Sequence, residues 1–201
     1  MMKRLLQTTL AVAISIVVGI ASAANAASTS QRNEGATLTA WLTQAEKGLP
    51  KAQLELGHLY SKGEGVRRDP KAAAKWYKLA ATQSHTPAYF HHGVALLHGL
   101  GGEKDAAQAT KWLTKAAYAQ GGYATYLVGR IHRDGNGVEK NFREAYKWFY
   151  IGAIEGIRQS QIARKILSAR MTPGAVLKAQ KAGESWLANR KTSQTASRVN
   201  N

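Results

Sequence analysis

The chain has 201 residues, enough for one domain of ordinary size. It contains no Cys, which excludes disulfides, thiolate catalysis and Cys-based zinc sites. With 28 Lys and Arg against 12 Asp and Glu the formal charge is +16, a surface that favours anionic partners over cationic ones.

The first element in the chain reads as a targeting segment. Met1-Met2-Lys3-Arg4 is a positive start, Leu10 to Ile20 is an uncharged apolar run, and Ala21-Ser22-Ala23 and Ala24-Asn25-Ala26 are two small-x-small sites. Together they have the layout of a secretory signal peptide over residues 1–26, cleaved after Ala23 or Ala26. The alternative is a retained anchor, but a bilayer span needs about 20 apolar residues and this run is shorter. Loss of Lys3 and Arg4 leaves a charge of about +14. A periplasmic or secreted location follows, and no nucleic-acid partner is expected there. Residues 27–35 read as a flexible linker.

A half unit comes next, over 36–49, where Ala40, Trp41, Ala45 and Gly48 fit one helix. From residue 50 a 36-residue period takes over. Ala52, Ala88 and Ala124 share it, as do Gly57, Gly93 and Gly129, and Trp76, Trp112 and Trp148. The loop glycines repeat as Gly63, Gly99 and Gly135, then Gly65, Gly101 and Gly137, and Asp69, Asp105 and Asn141 complete the register. The units are 50–85, 86–121 and 122–157.

Each unit predicts two helices. The first runs from about Lys51 to Lys62, with counterparts starting at Pro87 and Tyr123, and carries Leu56, Leu59 and Tyr60 at helical spacing. Gly57 sits inside it, where Gly costs about 1 kcal/mol relative to Ala. Its recurrence predicts a neighbouring helix too close for a Cβ. Gly-x-Gly then turns the chain. Asp69 is placed as an N-cap before Pro70, and Asp105 and Asn141 are placed likewise. The second helix buries Ala73, Trp76, Ala80 and Ala81. After Gly156 the pattern stops. Gln159 to Ala169 reads as a helix, and another starts at Thr172-Pro173 with Val176, Ala179 and Trp186. These two, over 158–190, are expected to cover the open end, and the polar stretch 191–201 is expected to be disordered.

The string Ala52-x-x-x-Leu56-Gly57-x-x-Tyr60-x-x-Gly63-x-Gly65-Val66, followed by Asp69, Ala73, Trp76, Ala80 and Ala81, resembles the Sel1-like repeat, a relative of the tetratricopeptide repeat. Copies two and three depart at His92, in place of Leu, at His132, in place of Tyr, and at Gly102, in place of Val. These changes are expected to loosen packing locally. The resemblance implies an all-α solenoid of stacked antiparallel helix pairs, with a concave face made by the first helices. It also implies an adaptor that brings proteins together; exported bacterial members often act in the cell envelope, in signalling or in contact with host cells. Cys-rich, disulfide-stapled relatives are a different kind from this chain.

Carried over from that geometry, the groove positions flank the helix glycine. In unit one they are Lys51, Leu54, His58 and Lys62; in unit two, Phe90, Val94, Leu97 and His98; in unit three, Tyr123, Tyr126, Arg130 and Arg133. Aromatic anchors beside cations suit a protein or peptide with acidic and apolar side chains. The competing reading is that Leu54, Phe90 and Tyr126, which share one repeat position, are core.

Other constellations are weaker. His91, His92 and His98 share a helix, but two His on one face without a carboxylate make a poor metal site, so no metal and no cofactor is expected. Asp134-Gly135-Asn136-Gly137 begins like a calcium loop but lacks the later ligands and aligns with the repeat's own turn. No Gly-x-Ser-x-Gly or His-Glu-x-x-His occurs, and 12 scattered acids nominate no glycosidase pair, so a cell-wall hydrolase ranks last. The C-terminal stretch is one-sided: Arg158, Arg164, Lys165, Arg170, Lys178, Lys181, Arg190, Lys191 and Arg198 against Glu184. That is either a solvated face or a footprint for anionic lipid or cell-wall polymer.

Overall fold

The structure, a computed structural model, describes residues 38–199, with side chains to residue 195. The signal peptide and linker expected over 1–35 lie outside the described residues. Nine helices and no strand occur among the described residues: α1 (38–46), α2 (Pro50–Lys62), α3 (Pro70–Thr82), α4 (Thr86–His98), α5 (Ala106–Gln120), α6 (Tyr123–Asp134), α7 (Phe142–Ile154), α8 (Arg158–Ser168) and α9 (Pro173–Val199).

The local signals act as the sequence anticipates. Asp69 accepts from the backbone N–H groups of Lys71 and Ala72, Asp105 from that of Gln108 and Asn141 from that of Glu144. Each thereby satisfies donors at a helix start that have no partner within the helix. At the other end, Gly63, Gly99 and Gly135 take left-handed φ values of 81°, 70° and 71°. Their N–H groups cap the carbonyls of Leu59, Ala95 and Ile131, a conformation that an L side chain resists.

From α2 to α8 each helix packs on the next, which makes a solenoid of antiparallel pairs. The glycine inside each first helix decides how close the pair comes. A Cβ on Gly93 would stand 2.8 Å from the γ-carbon of Leu113, and one on Gly129 would stand 2.6 Å from the ring of Phe149. One on Gly57 would strike the ring of Tyr77. The obstructing residue is always twenty positions further on, so Tyr77, Leu113 and Phe149 are one repeat position that fills the space each glycine leaves. Leu113 and Phe149 are fully buried. The Trp position behaves less uniformly: Trp76 and Trp112 are half-buried, whereas Trp148 is 4% exposed because Trp186 of α9 lies edge-on to it at 5.1 Å. His92 does not sit loosely. It is 5% exposed with its ring 5.1 Å from Trp112, and its Nδ1 has no partner.

The C-terminal helices differ from expectation in two ways. First, α9 continues through residues 191–199, where disorder was expected. Its far end is tied to the end of α5: Tyr118 donates to Ser193 at 2.8 Å, and Gln194 donates to the carbonyls of Tyr118 and Ala119. Arg190 donates to the carbonyl of Ala117 at 3.0 Å and forms an ion pair with Glu155, both side chains about one-seventh exposed. Second, α9 packs chiefly along α7, with Gly183 against the ring of Tyr150. The close approach that a first-helix glycine provides elsewhere is here provided by a glycine on α9.

Candidate partner-binding groove

The nominated positions lie on the first helices, and burial separates them. On α2, Lys51 and Lys62 are exposed, and Lys62 lies 3.4 Å from Glu64. Leu54 does not belong to the groove. It is 6% exposed and packs with Ala73 and Tyr77, because α3 lies over it. Leu97 on α4 is core too, at 8% exposure, in a cluster with residues of α5 and α6. Phe90 and Val94 are half-buried, with one side against the core and the other open, and His98 is exposed.

The upper part of the groove is aromatic. His58 Nδ1 lies 3.2 Å from the Tyr77 hydroxyl. The His58 ring stands edge-on to His91 at 4.6 Å, and His91 stacks on Tyr77 at 4.9 Å and meets Phe90 edge-on at 5.5 Å. Burial lowers the pKa of His58, and burial with the neighbouring His58 lowers that of His91 to about 4. Both are therefore neutral at pH 7. The sequence nominates His58 as a groove position; the structure makes it part of a neutral ring cluster. His91, which the repeat register aligns with Glu55 and Leu127, was not nominated for the groove, and only its contacts place it there.

Charge enters on α6. Tyr123 is 41% exposed, its ring 5.2 Å from that of Tyr126, and the Arg130 guanidinium sits 5.9 Å from the Tyr126 ring centre. Tyr126 rests on Phe149, so the ladder stands on the core. Arg130 forms no ion pair among the described residues. Arg133 is already engaged: it grips Asp134 with two hydrogen bonds of 2.7 and 3.0 Å, and those bonds raise its pKa and lower that of Asp134. The face thus offers exposed and half-buried rings and, beside Tyr126, a guanidinium that enters no ion pair among the described residues, which suits contact with a chain segment. Among the described residues no group of three His, Cys, Asp or Glu is placed to hold a metal ion.

Three comparisons bear on this arrangement. The Sel1 repeat family model matches residues 50–85, 86–120 and 122–156, just over half of the chain. Among solved structures, the chain is similar to a Sel1 repeat protein from Oxalobacter formigenes, with 33% identity and a TM-score of 0.59 over 63% of this chain and 52% of that one. It is also similar to c5321, described as a protective antigen present in uropathogenic Escherichia coli strains displaying an SLR fold, with 26% identity and a TM-score of 0.57 over 75% of this chain and 40% of that one. The chain therefore spans about half the length of the first and two fifths of the second. No curated protein matches it significantly.

Proposed function

The chain belongs to the Sel1 repeat family, and from that premise we propose that it is an exported adaptor that holds a protein or peptide partner in its first-helix groove within the cell envelope. Sel1 repeats commonly mediate protein–protein interaction and are typically non-catalytic scaffolds. The observation that carries the groove reading is the Tyr123–Tyr126–Arg130 ladder, half open to solvent and backed by Phe149. Aromatic and Arg side chains on a rigid base are the residues in which interface energy concentrates. The partner is proposed to be acidic, because the chain carries +16. Export rests on the sequence of residues 1–26 and is tested by N-terminal sequencing: the mature chain should begin near Ala24 or Ala27 in a periplasmic or extracellular fraction, and Met1 in a cytosolic fraction would refute it.

The groove is tested by crosslinking in intact cells and mass spectrometry. Tyr126→Ala with Arg130→Glu should remove the crosslinked partner at unchanged helical content, while Lys178, Lys181 and Lys191 changed to Gln should retain it; Arg190 is left in place because it pairs with Glu155. The second reading, docking on anionic polymer or lipid, is favoured by the exposed Lys178, Lys181 and Lys191 on α9. It predicts the opposite pattern and a steep loss of binding with salt.

A further inference from the structure

We infer that the groove has a fourth rung, α8, and that its exposed Ile162 and Ile166, flanked by Arg158 and Lys165, anchor an extended acidic segment with aliphatic or aromatic side chains. The inference rests on the groove reading and adds to it where that segment is held and by what chemistry. Helix α8 lies outside the three matched repeats, which end at residue 156. Its burial nevertheless follows the 36-residue register. Ser160, Ala163 and Leu167 are buried, and they stand 36 residues after Ala124, Leu127 and Ile131, which are buried on α6. It packs on α7 as α6 packs on α5 and α4 on α3, and it also touches α6. The same register carries Phe90 and Tyr126 on to Ile162, and Val94 and Arg130 on to Ile166. The row of rings therefore ends in two aliphatic side chains.

Those side chains are uncovered. Ile162 is 53% exposed and Ile166 63%. Lys165 occupies the place that Gly57, Gly93 and Gly129 hold on the other first helices, and α9 packs chiefly along α7 instead of closing over α8. At 100° per residue, Lys165, Arg158, Ile162 and Ile166 fall within one arc of about 100°. Arg158 and Lys165 are exposed and enter no ion pair among the described residues, and α8 contains no Asp or Glu. This charge selects the occupant. A second copy of the chain, itself at +16, would bring cations against cations, whereas an acidic segment meets Arg158 and Lys165 on one side and Arg130 on the other. The row crosses neighbouring helices, so it fits a narrow chain better than a flat bilayer.

The test uses the full chain and a phage-displayed library of random twelve-residue peptides. The most enriched peptide is then synthesised and titrated by fluorescence anisotropy in about 0.15 M salt. Enriched sequences should combine Asp or Glu with Leu, Ile, Val or Phe. Ile162→Ser with Ile166→Ser should weaken binding at least tenfold, and Tyr126→Ala with Arg130→Glu should do the same. Ile162→Val with Ile166→Val should bind within threefold of wild type. Both serine positions are solvent-exposed, so circular dichroism should be unchanged. Serine variants that bind within twofold while the Tyr126/Arg130 variant fails would remove the fourth rung and leave the groove reading intact. Both variants binding like wild type would remove the groove reading itself. Enriched peptides without acids would overturn the stated chemistry. Cosedimentation with vesicles of phosphatidylcholine and phosphatidylglycerol, lost in the serine variant, would assign the patch to a membrane instead. A dimer in sedimentation velocity that the serine variant abolishes would assign it to a second copy.

Discussion

Gly129→Ala puts two opposing effects in direct competition. As an isolated helix substitution it should stabilise, because Ala is favoured over Gly by about 1 kcal/mol in a helix interior. In the folded chain the new methyl would stand 2.6 Å from the Phe149 ring and 3.3 Å from the Ala145 carbonyl. Carbon atoms sit comfortably at about 3.5–4.0 Å, so the ring must retreat by about 1 Å. Phe149 is fully buried and bears on Tyr126, so it has nowhere to go without moving α7. Overpacking of that kind costs about 1–3 kcal/mol, which leaves a net loss of up to about 2 kcal/mol after the helix gain. For a chain of this size that lowers Tm by up to about 8 °C. The assay is thermal and urea unfolding of Gly129→Ala in two backgrounds, wild type and Phe149→Leu. With the smaller side chain at 149 the methyl has room, and the same substitution should become neutral or stabilising, a coupling of about 1–2 kcal/mol. A higher Tm in the wild-type background, or an identical loss in both backgrounds, would refute the claim that the repeated glycine exists to admit the residue twenty positions on.

Three other expectations follow from the same contacts. His91 and His92 both have folded-state pKa values lowered to about 4 by burial, with His58 and Lys78 respectively adding to the effect. The unfolded chain therefore takes up their protons first, so stability is complete above about pH 6.5 and is lost as pH falls toward 4. Urea midpoints should drop between pH 7 and pH 5, and His92→Leu, which restores the apolar residue found at Leu56 and Val128, should reduce the drop; an equal drop in that variant would contradict the assignment. Asp105→Ala removes the cap on α5 and should cost about 0.5–2 kcal/mol in chemical unfolding, with a neutral result counting against the cap. Arg190→Ala breaks the pair with Glu155 and the bond to Ala117, so amide exchange should rise in α9 beyond Trp186 while α2 to α7 keep their protection. Uniform loss of protection would show instead that α9 and the solenoid unfold as one unit.

The 36-residue period, the helix pairs, the glycine turns and the caps at Asp69, Asp105 and Asn141 were all legible in the sequence. Each is a local or strictly periodic requirement: a φ that only glycine tolerates easily, or a donor that a nearby oxygen must meet. Even the need for a close neighbour at Gly57, Gly93 and Gly129 could be read from one residue type. The sequence did not say which side chain fills each space, because Tyr77, Leu113 and Phe149 differ chemically and share only a position. Nor did it separate Leu54 from Tyr126. Those two occupy the same place in the repeat, but the helix lying over Leu54 buries it, while Tyr126 stays half open beside Tyr123. The C-terminal third was the least legible part. Helix α8 keeps the buried side of a first helix without its glycine, and α9 folds back along α7 to reach the end of α5. Contacts between residues more than seventy positions apart, such as Tyr118 with Ser193, leave no periodic trace. Those contacts hold residues 191–194 of α9 on the end of α5, and the packing of α9 along α7 buries Trp148 where Trp76 and Trp112 are half-buried and leaves Ile162 and Ile166 facing solvent.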